Sequence, residues 1–133
     1  MGGQRYCSGG LGPNMNLFVK LEGQAKNVQG VRGGSYILSN ELVNKRRHWI
    51  QENGKNALWY DEINRNWKIG SLSGLGRVGS TVGGLMSHSQ FNSQASMDGP
   101  EKCIWDFYDG KHWKLATMSI TSMGKSKSIL IFL

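Results

Sequence analysis

Three short runs set tryptophan beside positive charge: Arg46-Arg47-His48-Trp49, Arg65-Asn66-Trp67-Lys68 and Lys111-His112-Trp113-Lys114. An indole face next to cationic or amide groups suits a sugar ring, a nucleobase or an aromatic peptide. Trp59, Trp67, Trp105 and Trp113 also recur at matching hairpin positions, which fits cross-strand core pairs. Trp49 is the least constrained tryptophan and the one expected at the surface. The candidate ligand-binding set is therefore Trp49, Arg46, Arg47 and His48, joined by Lys111 and His112 from the turn of a second hairpin.

Other chemistries find less support. Gly74-Leu75-Gly76-Arg77-Val78-Gly79 matches the spacing of a dinucleotide-binding loop. That loop works only where a strand leads into it and a helix N-terminus follows to hold the pyrophosphate. Ser80-Thr81-Val82-Gly83-Gly84 follows here, a poor helix start, so the run reads as a loop. A kinase-type glycine loop would need a large two-lobed domain, and no Walker lysine follows. His48, His88 and His112 stand at no metal-ligand spacing from one another or from a cysteine. Cys103 and His112 could form a thiol–imidazole pair, but Cys103 opens a predicted strand, where a buried thiol is the commoner state. Asp106 and Asp109 flank a turn and suit local hydrogen bonds. No reaction centre, metal site or cofactor site is expected.

The elements that would position these residues read as strands and turns. Residues 1–16 are rich in Gly and Asn and read as an arm or loop before a single β domain over 17–133. Leu17–Leu21 alternates as a strand, and Gly33-Gly34 leads into a second at Ser35–Leu38. Residues 39–54 fit two descriptions. One is a helix with Leu42, Val43, Arg46, Trp49 and Ile50 on a face, stopped by Asn53-Gly54. The other, favoured because strand and turn surround it, is a loop through 44–47 and a short strand at Trp49-Ile50. Residues 70–100, rich in Gly and Ser, predict a long surface loop with one weak strand near Leu85-Met86. Met118–Thr121 continues as strand, and Ile129–Leu133 is a continuous apolar run that wants burial on both faces.

An internal echo organises the middle of the chain. Residues 57–70 and 103–116 align without gaps, pairing Trp59 with Trp105, Trp67 with Trp113, Lys68 with Lys114 and Ile69 with Leu115. Asp109-Gly110 makes the second copy a hairpin, and Glu62–Asn64 turns the first by analogy. All four tryptophans are expected in the core. Lys68 and Lys114 are expected to point outward.

With 133 residues the chain suits one domain. Charged residues are 19%, and 19 Gly, 14 Ser and 10 Asn replace the missing charge with turn chemistry. That composition excludes a coiled coil, a collagen, a helical bundle and a membrane-spanning protein. The net charge of +7 favours polyanionic partners such as nucleic acid, anionic lipid or acidic glycans, and equally suits simple solubility. Two cysteines, Cys7 and Cys103, make no disulfide scaffold. Met1-Gly2-Gly3 opens no apolar leader, and Tyr6 fills the place a myristoylation pattern gives to Ser or Thr. An intracellular location is slightly favoured.

Gly34-Ser35-Tyr36, Asn44 before Trp49, Leu58-Trp59-Tyr60 and Trp67-Lys68-Ile69-Gly70 together resemble a tryptophan-rich β module that recurs in proteins of protists and marine invertebrates. The resemblance covers most of residues 17–121. It implies a non-catalytic extracellular or scaffold-type module and no site residues. The scarcity of Cys and the start without a leader depart from a secreted member.

The sequence thus predicts an all-β fold, a small sandwich or barrel of about seven to nine short strands with a duplicated Trp-x7-Trp hairpin. It predicts a non-enzymatic recognition module, lectin-like or protein-binding, with a glycan or protein partner. A structural subunit, joined to a larger assembly through the C-terminal strand, stands second. Nucleic-acid binding stands third, for want of an aromatic RNA-binding strand or a dense basic helix.

Overall fold

The computed structural model describes residues 12–79, 84–89 and 99–123. The fold is all-β, as alternation and turn spacing predict. Among the described residues its nine strands are β1 (Leu17–Glu22), β2 (Gly34–Val43), β3 (Arg46–Gln51), β4 (Asn56–Asp61), β5 (Asn66–Ser71), β6 (Leu85–Ser87), β7 (Trp105–Tyr108), β8 (Trp113–Leu115) and β9 (Thr117–Ser122). A short helix, α1 (Gly23–Gln29), runs into a 3-10 turn at Gly30–Arg32. No described helix is long and apolar enough to cross a membrane. The Ile129–Leu133 run, Cys7 and most of the Gly/Asn-rich arm lie outside the described residues.

From β1 to β8 each strand pairs antiparallel with its sequence neighbour, and β9 returns to β1. Only Ala116 separates β8 from β9, and the two run in one direction. They behave as one strand, the first half paired with β7 and the second with β1. The Ala116 N–H donates to the Trp105 carbonyl at 2.9 Å across the join. The sheet thereby curls into a nearly closed barrel, which leaves few strand edges open.

Alternation fills the interior. Leu17, Val19 and Leu21 of β1 meet Tyr36, Trp49, Leu58, Tyr60, Trp67, Ile69, Leu85, Trp105, Phe107 and Ile120 in one core. Trp67 lies at its centre, 5.9 Å from the Trp49 ring and 5.1 Å edge-on from Tyr60. Tilted and edge-on contacts are the arrangement the ring quadrupoles favour. Gly12 plugs the floor. A Cβ there would stand 3.0 Å from Trp49 and 3.3 Å from Trp67, at a φ of +95° that favours glycine.

A second packed layer covers the outside of β4–β5. Trp59 and Lys68 are paired across the strands and share that face with Asp61. The segment 75–79 lies over them: the Trp59 Nε1–H donates to the Arg77 carbonyl at 3.1 Å, and Asn44 Nδ2 donates to Tyr60 and Gly76. Lys68 does point away from Trp67, as alternation requires. It is nonetheless fully buried rather than solvated, its ammonium 3.4 Å from the Asp61 carboxylate. Asp61 also accepts from the N–H groups of Ile63, Asn64 and Gly79. This carboxylate closes its own turn and anchors the covering segment.

Residues 39–54 resolve as strand, turn and strand. Asn44 and Lys45 both take positive φ, 53° and 69°, the two-residue hairpin turn whose twist matches its strands. Both echo hairpins form with four-residue turns, yet their tryptophans exchange roles. Asp61 and Asn66 close the first turn, whereas Tyr108 and Trp113 close the second. Relative to the ungapped alignment the second turn sits one residue later, and a one-residue slip moves every side chain to the opposite face. Trp59 is therefore outside and Trp67 inside, while Trp105 is inside and Trp113 outside. Trp113 is only partly buried, against the sequence expectation.

The strand directions define two ends. One carries α1, the 3-10 turn Gly30–Arg32, the turn 52–55, the start of the β5–β6 connection and the turn 109–112. The other carries residues 12–16 and the turns 44–45 and 62–65. At the first end a polar network caps the barrel. Gln51 Nε2 donates to the Val31 and Gly33 carbonyls, Asn56 Nδ2 donates to Gln51 Oε1, and the Tyr36 hydroxyl donates to the Arg32 carbonyl.

Candidate functional site

The expected ligand surface on β3 is structural. Trp49 is fully buried, not exposed as the sequence suggested. Its cross-strand partner is Leu58, so it faces the core, and its Nε1–H donates to the Met15 carbonyl at 2.7 Å. The Arg46 guanidinium lies 4.0 Å from the Tyr60 ring centre, and Arg47 Nη1 donates to the Gly12 carbonyl. His48 is 3% exposed. Burial pushes its imidazole pKa down, against the opposing pull of the Glu41 backbone and carboxylate. These groups tie residues 12–15 and the sheet together, and the buried Trp49 offers no face for stacking.

Lys111 and His112 are exposed in the β7–β8 turn. β8 and β3 are not neighbours in the sheet, and the turn is at the opposite end from Arg46 and Arg47. The two halves of the expected site do not meet.

What Lys111 and His112 do adjoin is an aromatic pair. Tyr108 and Trp113 close the same turn with ring centres 5.2 Å apart, both partly exposed on the outer face. Asp109 holds the turn: its Oδ1 accepts from the Lys111 and His112 N–H groups at 2.7 Å, and Lys114 lies 3.1 Å from Oδ2. The two backbone donors, then Lys114, hold the Asp109 carboxyl well below the usual carboxylate range.

Tyr108 also lines a surface cleft of about 410 Å³ at the capped end, with Gln29, Arg32, Ser71, Ser73, Gly74, Arg77 and Gly84. A second groove of about 430 Å³ shares Arg32 and Ser71 and adds Lys55. Among the described residues no carboxylate lines either. Arg32 is held as a fixed fork. Its Nε donates to Gln29 Oε1 at 2.8 Å, and its Nη1 donates to Asn56 Oδ1. Gly84 makes room for it, since a Cβ there would stand 3.1 Å from Arg32 Nε and 2.4 Å from the Ile69 carbonyl oxygen. Burial pushes the Arg32 pKa down, against the attraction of Tyr36. Burial likewise pushes the Tyr36 hydroxyl up. The Arg77 side chain has no hydrogen-bond or ion-pair partner among the described residues.

Sequence reading missed Arg32, Arg77 and Ser71. Arg77 sat inside the glycine run, whose backbone here covers Trp59. Arg32 stood in a stretch with no periodic signal. Elsewhere, His88 Nε2 lies 2.9 Å from Asp106 Oδ1 on an open strand face, and Cys103 Sγ lies 3.5 Å from the Gly99 carbonyl oxygen. Among the described residues no three His, Cys, Asp or Glu side chains gather as a metal site would require. No family model, curated protein or solved structure matches this chain.

Proposed function

We infer that the chain is a non-catalytic recognition module of lectin-like type, binding its partner on the capped end of the barrel. The observation that carries this is the Tyr108–Trp113 pair. It is partly exposed, borders a cleft with no acidic lining among the described residues, and is flanked by Lys111 and His112. Aromatic faces beside donors suit a sugar ring, which stacks through its C–H face and hydrogen-bonds through its hydroxyls. The interior supports this placement, because Trp49, Trp67, Tyr60 and their neighbours occupy it. Of the three basic-aromatic runs in the sequence, this reading uses one, Lys111-His112-Trp113-Lys114.

A glycan array followed by titration of the best binder tests the reading. Saturable binding that Trp113→Ala abolishes, with the fold retained by circular dichroism, supports it. A chain that binds no glycan, or binds one equally well after Trp113→Ala, overturns it. An oligonucleotide titrated at two salt concentrations separates out nucleic-acid binding, whose affinity falls steeply with salt through counterion release.

A further inference from the structure

We propose that the Arg32–Arg77 cleft is a binding site for a tetrahedral oxyanion, a phosphate or sulfate ester group carried by the ligand. The proposal rests on the recognition reading above and names the group that would seat beside its aromatic pair.

The donors come from separate directions. Arg32 belongs to the cap, Arg77 to the segment covering β4–β5, and Ser71 and Ser73 to the end of β5 and the 3-10 turn after it. A carboxylate presents two oxygens in a plane and is satisfied by one guanidinium fork. A phosphate or sulfate ester presents three terminal oxygens, which need donors on more than one side. The arrangement of two guanidinium groups and two hydroxyls fits the second geometry.

Arg32 is more than a latch. Its bonds to Gln29 and Asn56 use two of its five N–H donors. They also fix the plane of the fork in advance, so little side-chain freedom remains to be lost on binding. Among the described residues the cleft meets no counter-charge, because no described Asp or Glu lines it or the adjoining groove, where Lys55 adds a third cation. A partly buried cation facing a carboxylate-free cleft gains most from an anion brought by the ligand.

The test titrates the full chain with inorganic phosphate and inorganic sulfate at constant ionic strength, with chloride and acetate as controls. Amide chemical shifts in nitrogen-15 spectra are the readout. Saturable shifts should concentrate at Ser73, Gly74 and Gly84, and Arg77→Gln should weaken binding at least tenfold. Arg77 is exposed and its guanidinium has no described partner, so that variant keeps the fold. Lys20→Gln, on the exposed side of β1, should leave binding unchanged.

Glucose 6-phosphate, glucose 6-sulfate and glucuronate then separate the possible sources. The first two distinguish a phosphoryl from a sulfo ester, and binding of glucuronate alone overturns the tetrahedral assignment. Shifts spread over all surface cations without saturation, or equal for acetate, also overturn it. Failure of the recognition reading looks different. An empty glycan array with phosphate still bound in the cleft sinks that reading alone. Trp113-dependent binding of neutral glycans with no anion effect sinks only the oxyanion site.

Discussion

Removing the Asp61 carboxylate should cost far more than removing the ammonium beside it. Asp61 is fully buried and receives three backbone N–H groups as well as Lys68, which is itself buried. Asp61→Ala takes the Asp61 carboxylate away from a buried cation, a loss of about 3–5 kcal/mol. It also strands the donors of Ile63, Asn64 and Gly79. Lys68→Met removes the cation but leaves the carboxylate held by those same donors, and should cost about 1–3 kcal/mol. A chain of this length unfolds with an entropy of roughly 0.3 kcal/mol/K. Asp61→Ala should therefore lower Tm by roughly 10–18 °C, and Lys68→Met by roughly 3–10 °C. Urea unfolding at pH 7, followed by tryptophan fluorescence and circular dichroism, gives both costs, and thermal scans give both Tm shifts. A Lys68→Met cost above that of Asp61→Ala, or two costs below about 1 kcal/mol, would refute the reasoning.

Trp67→Ala should cost about 3–5 kcal/mol in the same assay, and Trp113→Ala only about 1 kcal/mol because its ring is partly exposed on the outer face; equal losses would contradict the exchange of faces between the hairpins. His48 has a folded pKa below its ordinary value of 6.5, so the unfolded chain binds the proton first as pH falls. Stability should drop as pH is lowered through 6.5, and His48→Gln should flatten that slope between pH 7.5 and 5.5 in urea midpoints. Gly84→Ala puts a Cβ against the Ile69 carbonyl at a φ of +135°. It should cost at least about 1–3 kcal/mol and release Arg32, seen as a loss of protection in the amides of Val31–Gly34 by hydrogen exchange.

The fold was legible where the code is local. Alternation in Leu17–Leu21 and the turn chemistry of Asn44 and of Asp109-Gly110 fix strands and hairpins without long-range information. The strand choice at Trp49-Ile50 followed from its neighbours, although the strand begins at Arg46, inside the stretch expected as loop. Helix α1 was not legible, because Gly23–Gln29 is almost wholly polar and buries only Ala25. The site was less legible still. Trp49 looked free because nothing in its own run says that Leu58 will stand opposite and that Gly12 will close over it. The echo was real in residue types, yet one residue of turn position turned Trp113 outward and Trp105 inward, a difference invisible in an ungapped comparison. Lys68 alternates as expected, but its burial depends on a segment arriving from 75–79. Arg32 and Arg77 meet through the cap and the covering segment, a proximity that no spacing in the chain encodes.

The single strand broken at Ala116 sets the order in which the molecule can be made. Every other pairing in the sheet joins neighbours along the chain, so successive hairpins can zip up as the ribosome delivers them. The β1–β9 seam joins residues about a hundred positions apart and cannot form until Thr117–Ser122 has emerged. Through most of its synthesis the growing chain therefore carries β1 with one side unmatched, a template for a second nascent copy on the same message. Late closure of this kind also slows folding, since a long loop must close before its contacts repay the cost. The barrel's exposure to misassembly is thus concentrated in its unfinished state and ends when β9 docks.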